Sequence, residues 1–447
     1  MANNIIILGA GESGVGAAIL AQHLGHSVLV SDGGKIADKY KLELSDFEIA
    51  WEEHGHSLDR ILKADLIVKS PGIPEKAAIM QQVREANIPV ISEIEWAYRH
   101  AEHCKIVAIT GTNGKSTTTA LIHHICITAG LDAALVGNIG VSFARQVALA
   151  PKPYYIVEVS SFQLDDIVHF KPDVAILLNI TEDHLDRYNY QMEKYVHSKF
   201  QIIKNLDPSN YFIYSADDPV TTTYLPQYFN NQTNPFPFSM KKQVTQGAFI
   251  KDQEMLIKMR EEDVKMSIHD FALKGKHNQN NTMAAGIAAT ALDIRKEKIR
   301  EAVQTFESLD HRLQPVLTIK GVEYINDSKA TNINGTWFAL ESIATPVVLI
   351  LGGVDKGNDY SLIADLVAEK AKAIICLGTD NSKLLDFFTG KVPQIHETNN
   401  MEAAVLAAYN IAQKGDTVLL SPACASFDLF LNYEDRGHQF AKAVKNL

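Results

Sequence analysis

Four cysteines in 447 residues, Cys104, Cys126, Cys376 and Cys424, are too few and too scattered to form a disulfide framework. None stands in a CxxC pair or a metal-finger spacing, so no structural zinc is suggested and each reads as a small core hydrophobe. No apolar run is long enough to span a bilayer. The N-terminal MANNIIILGAGESG lacks a basic leader and passes straight into a glycine turn, which points to a cytoplasmic protein. Basic clusters are missing too: net charge is −11 with no Lys/Arg-rich stretch, which argues against nucleic-acid backbone binding. Neither a solenoid-period repeat nor a low-complexity tract interrupts the chain.

What is present is an ordinary globular composition, 46% hydrophobic and 21% charged, in a chain long enough for about three domains at roughly 150 residues each. The first part, 1–95, alternates NIIILGA, a helix from Gly14 to about His23, SVLVSD, DLIVKSPGIP and IPVIS, the pattern of a parallel sheet covered by helices. Gly9, Gly11 and Gly14 form G-x-G-x-x-G between strand and helix, and Asp32 ends the second strand about twenty residues on. Such glycines let backbone approach a pyrophosphate at a helix N-terminus, while the acid can accept from a ribose hydroxyl. Taken alone, this suggests a nicotinamide dinucleotide.

The second part, 96–309, opens on AITGTNGKSTTT and carries the apolar strands YYIVEVS and DVAILLNI, each ending in polar residues. Its stretch from 206 to 270, around NNQTNPFPF, reads as loops and short strands at the periphery. The third part, 310–447, alternates again through EYINDS, a helix from near Asn334, PVVLILGG, KAIICLG and DTVLLSPA. The expected fold is α/β in three domains: a Rossmann-like N-terminal domain, a central P-loop-type ATPase domain with a mainly parallel sheet, and a Rossmann-like C-terminal domain.

Lys115 and Ser116 follow Gly114 as in a phosphate loop, where backbone N–H groups cradle phosphate, the lysine meets β/γ oxygens and the hydroxyl ligates magnesium. The simple G-x-x-x-x-G-K spacing fails, because Ile109 stands where its first glycine belongs. Glu158 is a charge inside an apolar strand, costly to bury unless a cation meets it, and is the candidate metal ligand. His184, after another strand end, is a candidate for a second ion or for substrate.

TGTNGKST, GNIG, EVSSFQL, NITEDHLDRY, GKHNQNN, DHRLQ, NDSKATN, LGGVDKG and LSPACASFD occur in the order seen in the Mur ligases, spanning nearly the whole chain. The sequence resembles that family, and within it the branch that adds D-glutamate to UDP-N-acetylmuramoyl-L-alanine. NDSKATN with SPACASFD is the specific part, since the phosphate loop alone also admits sister Mur ligases and folylpolyglutamate synthetase. The resemblance implies an ATP-dependent amide ligase of peptidoglycan precursor synthesis, working through an acyl phosphate and a tetrahedral intermediate, and a monomer. It puts the triphosphate on Gly111, Thr112, Asn113, Gly114, Lys115, Ser116 and Thr117, with one magnesium ion at Ser116 and Glu158. A second ion falls to His184 and Lys199, the lysine being carbamylated in the family, which gives it oxygen ligands. Lys115, Glu158, His184 and Lys199 are therefore the expected catalytic set.

By the same resemblance, Asn281 and Asp327 match adenine and ribose contacts and Arg312 a cation at the phosphates. Asn138, Ser160, Ser161 and Gln163 match positions near the muramoyl peptide. Lys329, Thr331, Lys356 and Ser426 supply charge and hydroxyls for the carboxylates of D-glutamate, beside Tyr433. The family uses the N-terminal fingerprint for the UDP part of its substrate, with Glu12, Ser13, Asp32, Ser70, Pro71 and Gly72 near the nucleotide. One departure is SDGGK, where Gly33 and Gly34 stand in place of a hydroxyl side chain that would be a natural uridine partner. Of the rival classes, a nicotinamide oxidoreductase leaves Lys115, Glu158 and NDSKATN without a role. A nucleotide sensor leaves the second Lys/Ser/Thr cluster unexplained.

Overall fold

A computed structural model describes residues 3–229, 233–260, 263–273, 275–307 and 310–447. Among the described residues the strands form three sheets. The first contains β1 (Asn4–Leu8), β2 (Ser27–Ser31), β3 (Ala50–Glu52), β4 (Leu66–Lys69) and β5 (Val90–Ser92), all parallel, in the order 3-2-1-4-5. Ile5 to Leu8 are essentially without exposure, as a parallel strand covered on both faces requires. The helix after β1 is Glu12–His23, two residues longer than expected at its start: Gly11 caps it with extended backbone and the carboxylate of Glu12 suits its positive end. A Cβ on Gly14 would lie 1.8 Å from the Gly9 carbonyl oxygen, so that glycine is a condition for packing helix on strand.

The second sheet contains β6 (Lys105–Thr110), β7 (Ala133–Gly137), β8 (Tyr154–Glu158), β9 (Val174–Leu177), β10 (Tyr211–Ser215), β11 (Asn234–Ser239), β12 (Gly247–Lys251), β13 (Glu254–Lys258) and β14 (Val264–Ser267). Its order is 14-13-12-11-10-9-6-8-7, parallel from β7 through β12 and antiparallel at β13 and β14. The stretch expected to be peripheral loops and short strands does hold short strands, of four to six residues, but they extend the central sheet to one edge, with the helix Pro219–Tyr228 between β10 and β11. Pro235 and Pro237 disguise β11, since proline reads as a strand breaker. They are tolerated because β12 pairs with this strand only at Phe238 and Ser239, which leaves them no ladder bond to donate on that side. Asn230, Asn231 and Gln232 of NNQTNPFPF lie outside the described residues.

The third sheet contains β15 (Gln314–Ile319), β16 (Val322–Asn326), β17 (Val347–Gly352), β18 (Ala371–Leu377), β19 (Gln394–Thr398) and β20 (Thr417–Ala423), in the order 15-16-20-17-18-19, with β15 antiparallel at one edge. Along β17, Val347, Leu349 and Leu351 join Ala339 and Leu340 in one core. Val348 and Ile350 join Ala404, Val405 and Phe440 in another. The period-2 alternation of one apolar run thus supplies both faces. The helix Ile333–Ser342 begins where expected, capped by the Asn332 side chain, which accepts from the Gly335 N–H at 2.8 Å.

By compactness the chain divides into two units, Met1–Ala272 with Asn280–Phe306, and Leu273–Gln279 with Glu307–Leu447. The boundary expected at 95 falls inside the helix Glu93–Tyr98, and the one expected at 309 falls at residues outside those described. The three-part division at 95 and 309 stands as a proposal. Among the described residues no helix is long and apolar enough to cross a membrane.

Candidate active site

In the larger unit the polar ends of β6, β8 and β9 meet. β6 delivers the glycine loop to the helix Lys115–Thr128, whose N-cap Gly114 has φ +83°, a left-handed conformation glycine adopts without penalty. A Cβ there would also lie 2.4 Å from Asn281 Oδ1, so Asn281 stands directly over the loop. Asn179 braces the loop from β9: its Oδ1 accepts from Asn113 N–H at 2.9 Å and its Nδ2 donates to the Asn113 carbonyl at 3.1 Å. Thr112 Oγ1 donates to the Thr181 carbonyl at 3.0 Å, with Tyr195 Oη also 3.0 Å away. Lys115 Nζ lies 2.8 Å from the carbonyls of both Gly111 and Thr112, which puts its ammonium in the mouth of the loop. Ser116 and Thr117 are buried in the first helical turn.

Glu158 pairs in register with Ile109, so its carboxylate lies beside the phosphate loop. It is 1% exposed. Oε1 accepts from Asn138 Nδ2 at 2.8 Å, while Oε2 is buried with no hydrogen-bond partner. A buried orphan carboxylate oxygen is costly and calls for a cation. Lys199, on the helix Met192–Phe200, is buried and donates to the Gly111 carbonyl at 2.8 Å and to Thr110 Oγ1 at 3.3 Å. Burial, reinforced by the charge of Lys115, drives its pKa well below the ordinary lysine value, against the opposing pull of Asp183, Glu158 and Asp165. His184 has left-handed backbone, φ 52°, its Nε2 3.7 Å from Asp183 Oδ2 and its ring edge-on to Phe162. Ser160 and Gln163 form a reciprocal capping box on the short helix Ser161–Leu164, and Gln163 Nε2 is left without a partner.

At the carboxyl ends of the first sheet, Ser70 Oγ donates to the Gly9 carbonyl at 3.2 Å, and Arg187 Nη2 donates to the Pro71 carbonyl at 3.0 Å with Nη1 3.4 Å from that of Gly72. Asp32 accepts from Ala10 N–H at 2.7 Å and from Gly34 N–H at 2.8 Å, so its carboxylate braces the fingerprint turn. Ser13 is half-buried in the first helical turn. Glu12 is part-exposed and already engaged, its carboxylate pairing with Arg145 at 2.9 Å and accepting from Ser142 N–H at 3.2 Å.

In the smaller unit the loops after β16, β17 and β20 converge. Asp327 is buried, with Oδ2 accepting from Ser421 Oγ at 2.9 Å and Oδ1 from Leu313 N–H at 3.2 Å. Desolvation pushes its carboxyl up to about 6, although Arg312 beside it pulls the other way. Arg312 Nε is itself a buried donor without a partner. Lys329 lies over the Tyr433 ring, 5.3 Å from its centroid, and Thr331 N–H donates to the Lys329 carbonyl at 2.9 Å. The loop bearing the exposed Lys356 is tied to the Ser426 loop by Val354 and Ala425, which exchange backbone bonds of 2.8 and 3.2 Å. Ala423, the last residue of β20, has φ 58°, a strained value for alanine, and its carbonyl accepts from Asn358 Nδ2 at 3.0 Å.

Family descriptions match in three consecutive pieces: a Mur ligase MurD-like N-terminal domain over residues 3–92, a Mur ligase middle domain over 109–289 and a Mur ligase glutamate ligase domain over 311–424. The chain is also 52% identical over 446 residues to the UDP-N-acetylmuramoylalanine--D-glutamate ligase of Porphyromonas gingivalis, covering 99% of each chain. It belongs to the Mur ligase family. The enzyme of the same name from Christiangramia forsetii is 49% identical, with 100% of both chains covered. Among solved structures, a pseudomurein peptide ligase type C from Methanothermus fervidus superposes with TM-score 0.63 at 19% identity, covering 99% of each chain. UDP-N-acetylmuramate-alanine ligase from Thermotoga maritima gives 0.62 at 17% identity, again over 99% of each, and at such identities the likeness speaks for the three-domain α/β fold. As a Mur ligase, the chain is an ATP-dependent ligase.

Arg436 lies outside every motif quoted above. It is 1% exposed on the helix Tyr433–Lys445, and it donates to Ser328 Oγ at 3.0 Å, the Ser328 carbonyl at 2.8 Å and the Cys424 carbonyl at 3.1 Å. One guanidinium therefore ties NDSKATN to SPACASFD. Its signal was present: Arg436, Gly437, Phe440, Ala443 and Val444 share the buried helical face. Arg436→Met, which leaves two buried carbonyls unpaired, should cost about 3 kcal/mol of stability. In steady-state kinetics it should raise the KM for the amino-acid substrate more than that for ATP.

Proposed function

We propose that this Mur ligase joins D-glutamate to the carboxylate of UDP-N-acetylmuramoyl-L-alanine, with ATP converted to ADP and phosphate. The observation that carries the reading is full-length identity of about 50% to ligases of that name, together with a phosphate loop facing a buried carboxylate whose Oε2 lacks a partner. A carboxylate cannot expel oxide under amine attack, so the γ-phosphoryl group is first moved to the L-alanyl carboxylate. The amine of D-glutamate then adds, and the tetrahedral intermediate collapses with loss of phosphate.

This chain's residues divide that work. The loop N–H groups and the helix N-terminus hold the phosphates, and Lys115 offsets charge as the phosphoryl group moves. Ser116 and Glu158 would hold one magnesium ion, and His184 with a carbamylated Lys199 a second. Magnesium takes one or two protein oxygens and fills its shell with phosphate and water, which suits this sparse donor set. When bound, the ions supply positive charge at the transferring phosphoryl group. The unprotonated amine favoured by the burial of Lys199 is the form that adds carbon dioxide, which supports the carbamate. Lys329, Thr331, Lys356 and Ser426 take the two carboxylates of D-glutamate, beside Tyr433. Asn281, Arg312 and Asp327 take the nucleotide, and Asn138, Ser160 and Gln163 the muramoyl peptide. A sister amino acid remains the second reading within the family.

Phosphate release from ATP and magnesium with UDP-N-acetylmuramoyl-L-alanine, run against D-glutamate, L-glutamate, L-alanine, L-lysine and meso-diaminopimelate, tests the reading. D-glutamate alone should sustain turnover. Turnover with a different amino acid would move the chain to a sister step.

A further inference from the structure

The uridine side of the first sheet carries a feature the sequence left open. Gly33 and Gly34 follow β2 where a hydroxyl side chain would serve a base, and the structure sets an imidazole against that gap. The loop after β3 is laced to the loop after β2 by three backbone bonds: Asp32 N–H to the Glu52 carbonyl at 3.1 Å, His54 N–H to that of Gly34 at 3.0 Å and Gly55 N–H to that of Asp32 at 3.4 Å. This lacing holds His56 beside Gly33, at the carboxyl edge of a parallel sheet where such folds bind nucleotides.

Hydrogen-bond direction fixes what His56 presents. Ser31 is fully buried, its Oγ 2.6 Å from Glu52 Oε1 and 2.7 Å from His56 Nδ1. Desolvation would raise the Glu52 carboxyl, but bonds from Ser31 and the Ser57 N–H, together with the charge of Arg60, hold it below its ordinary value, so it accepts only. The single hydroxyl proton of Ser31 therefore goes to Glu52, and Nδ1–H of His56 donates to Ser31. In the neutral ring, Nε2 is left as an acceptor. A Cβ on Gly33 would lie 3.2 Å from that nitrogen, so glycine keeps the space before it clear.

Resting on the reading that this domain holds UDP, we infer that His56 Nε2 accepts the N3–H of uracil, making His56 the base-specificity residue and Gly33 the opening that exposes it. Cytosine carries a lone pair at N3 and would meet Nε2 acceptor to acceptor. The relay from Glu52 through Ser31 locks the tautomer that makes the distinction, and a site whose buried polar groups are built for one partner rejects the mismatched one strongly.

Calorimetric titration of the full-length protein with UDP and with CDP tests this. Wild type should favour UDP by at least ~10-fold. His56→Ala should lose about that factor for UDP and leave CDP within roughly 2-fold. Gly33→Ala, which crowds Nε2 at a position without positive φ, should reproduce the loss. In turnover, His56→Ala should raise the KM for UDP-N-acetylmuramoyl-L-alanine and leave kcat and the KM values for ATP and D-glutamate unchanged. Equal weakening of UDP and CDP would overturn the inference in favour of a ribose contact or a structural role, as would no change at all. Absence of UDP binding by wild type would instead overturn the placement of the nucleotide beneath it.

Discussion

Glu158→Gln should lower the turnover number for ligation by about 10^3-fold, equivalent to about 4 kcal/mol of lost transition-state stabilisation. Gln keeps the shape and the acceptor for Asn138 Nδ2, but removes the charge that a cation at Oε2 would meet. Its thermal midpoint in the ligand-free state should equal or exceed that of wild type, because a neutral amide is cheaper to bury than an unpaired carboxylate. Activity falling while stability holds is the mark of a group kept for chemistry at a cost to the fold. Calorimetric melting and coupled phosphate release, measured on the same preparations, check both halves. A Glu158→Gln enzyme with near-normal turnover would remove Glu158 from the metal site.

Lys199→Met should lower turnover by at least ~10^2-fold and change how stability depends on pH. Lys199 has its folded-state pKa depressed by burial and by Lys115. Between that depressed value and the ordinary lysine value of about 10.4, the unfolded chain binds a proton that the native protein does not. Wild-type stability relative to Lys199→Met should therefore rise with pH through this window, by up to about 1.4 kcal/mol per pH unit, and flatten below the folded pKa. Urea midpoints across the series in carbon dioxide-free buffer would read the slope. In labelled bicarbonate, a carbamate carbon resonance should be present in wild type and absent in Lys199→Met. A flat difference between the two proteins would mean that Lys199 is charged in its site.

Much of this arrangement was legible in the sequence, for physical reasons. Parallel strands covered on both faces read as unbroken apolar runs, so NIIIL, KIVAIT and VVLILG announced their sheets, and each glycine turn announced a sheet edge. The polar end of one such run, Glu158, was where chemistry was expected, and it is buried with an unpartnered oxygen; Asp327 came from the resemblance alone. The failures came where local chemistry misleads. Alternating prolines hid β11 inside the central sheet. Lys199 looks like a surface lysine, although Tyr195, Val196 and Phe200 are buried on the same short helix. Helical spacing reports Arg436 only as one member of a buried face; its bonds to Ser328 and Cys424, like that between His56 and Ser31, join positions that no spacing rule connects. The pairing of Glu12 with Arg145, 133 positions away, is likewise invisible to spacing.

If the carboxylate is activated by phosphoryl transfer, one of its own oxygens must leave in the phosphate. UDP-N-acetylmuramoyl-L-alanine labelled with 18O in its alanyl carboxylate should yield one labelled oxygen per phosphate released, because the acyl–oxygen bond is the one that breaks under amine attack. Unlabelled phosphate, detected by mass spectrometry alongside amide product, would contradict the acyl-phosphate route and the roles assigned to Lys115, Glu158 and Lys199 in it.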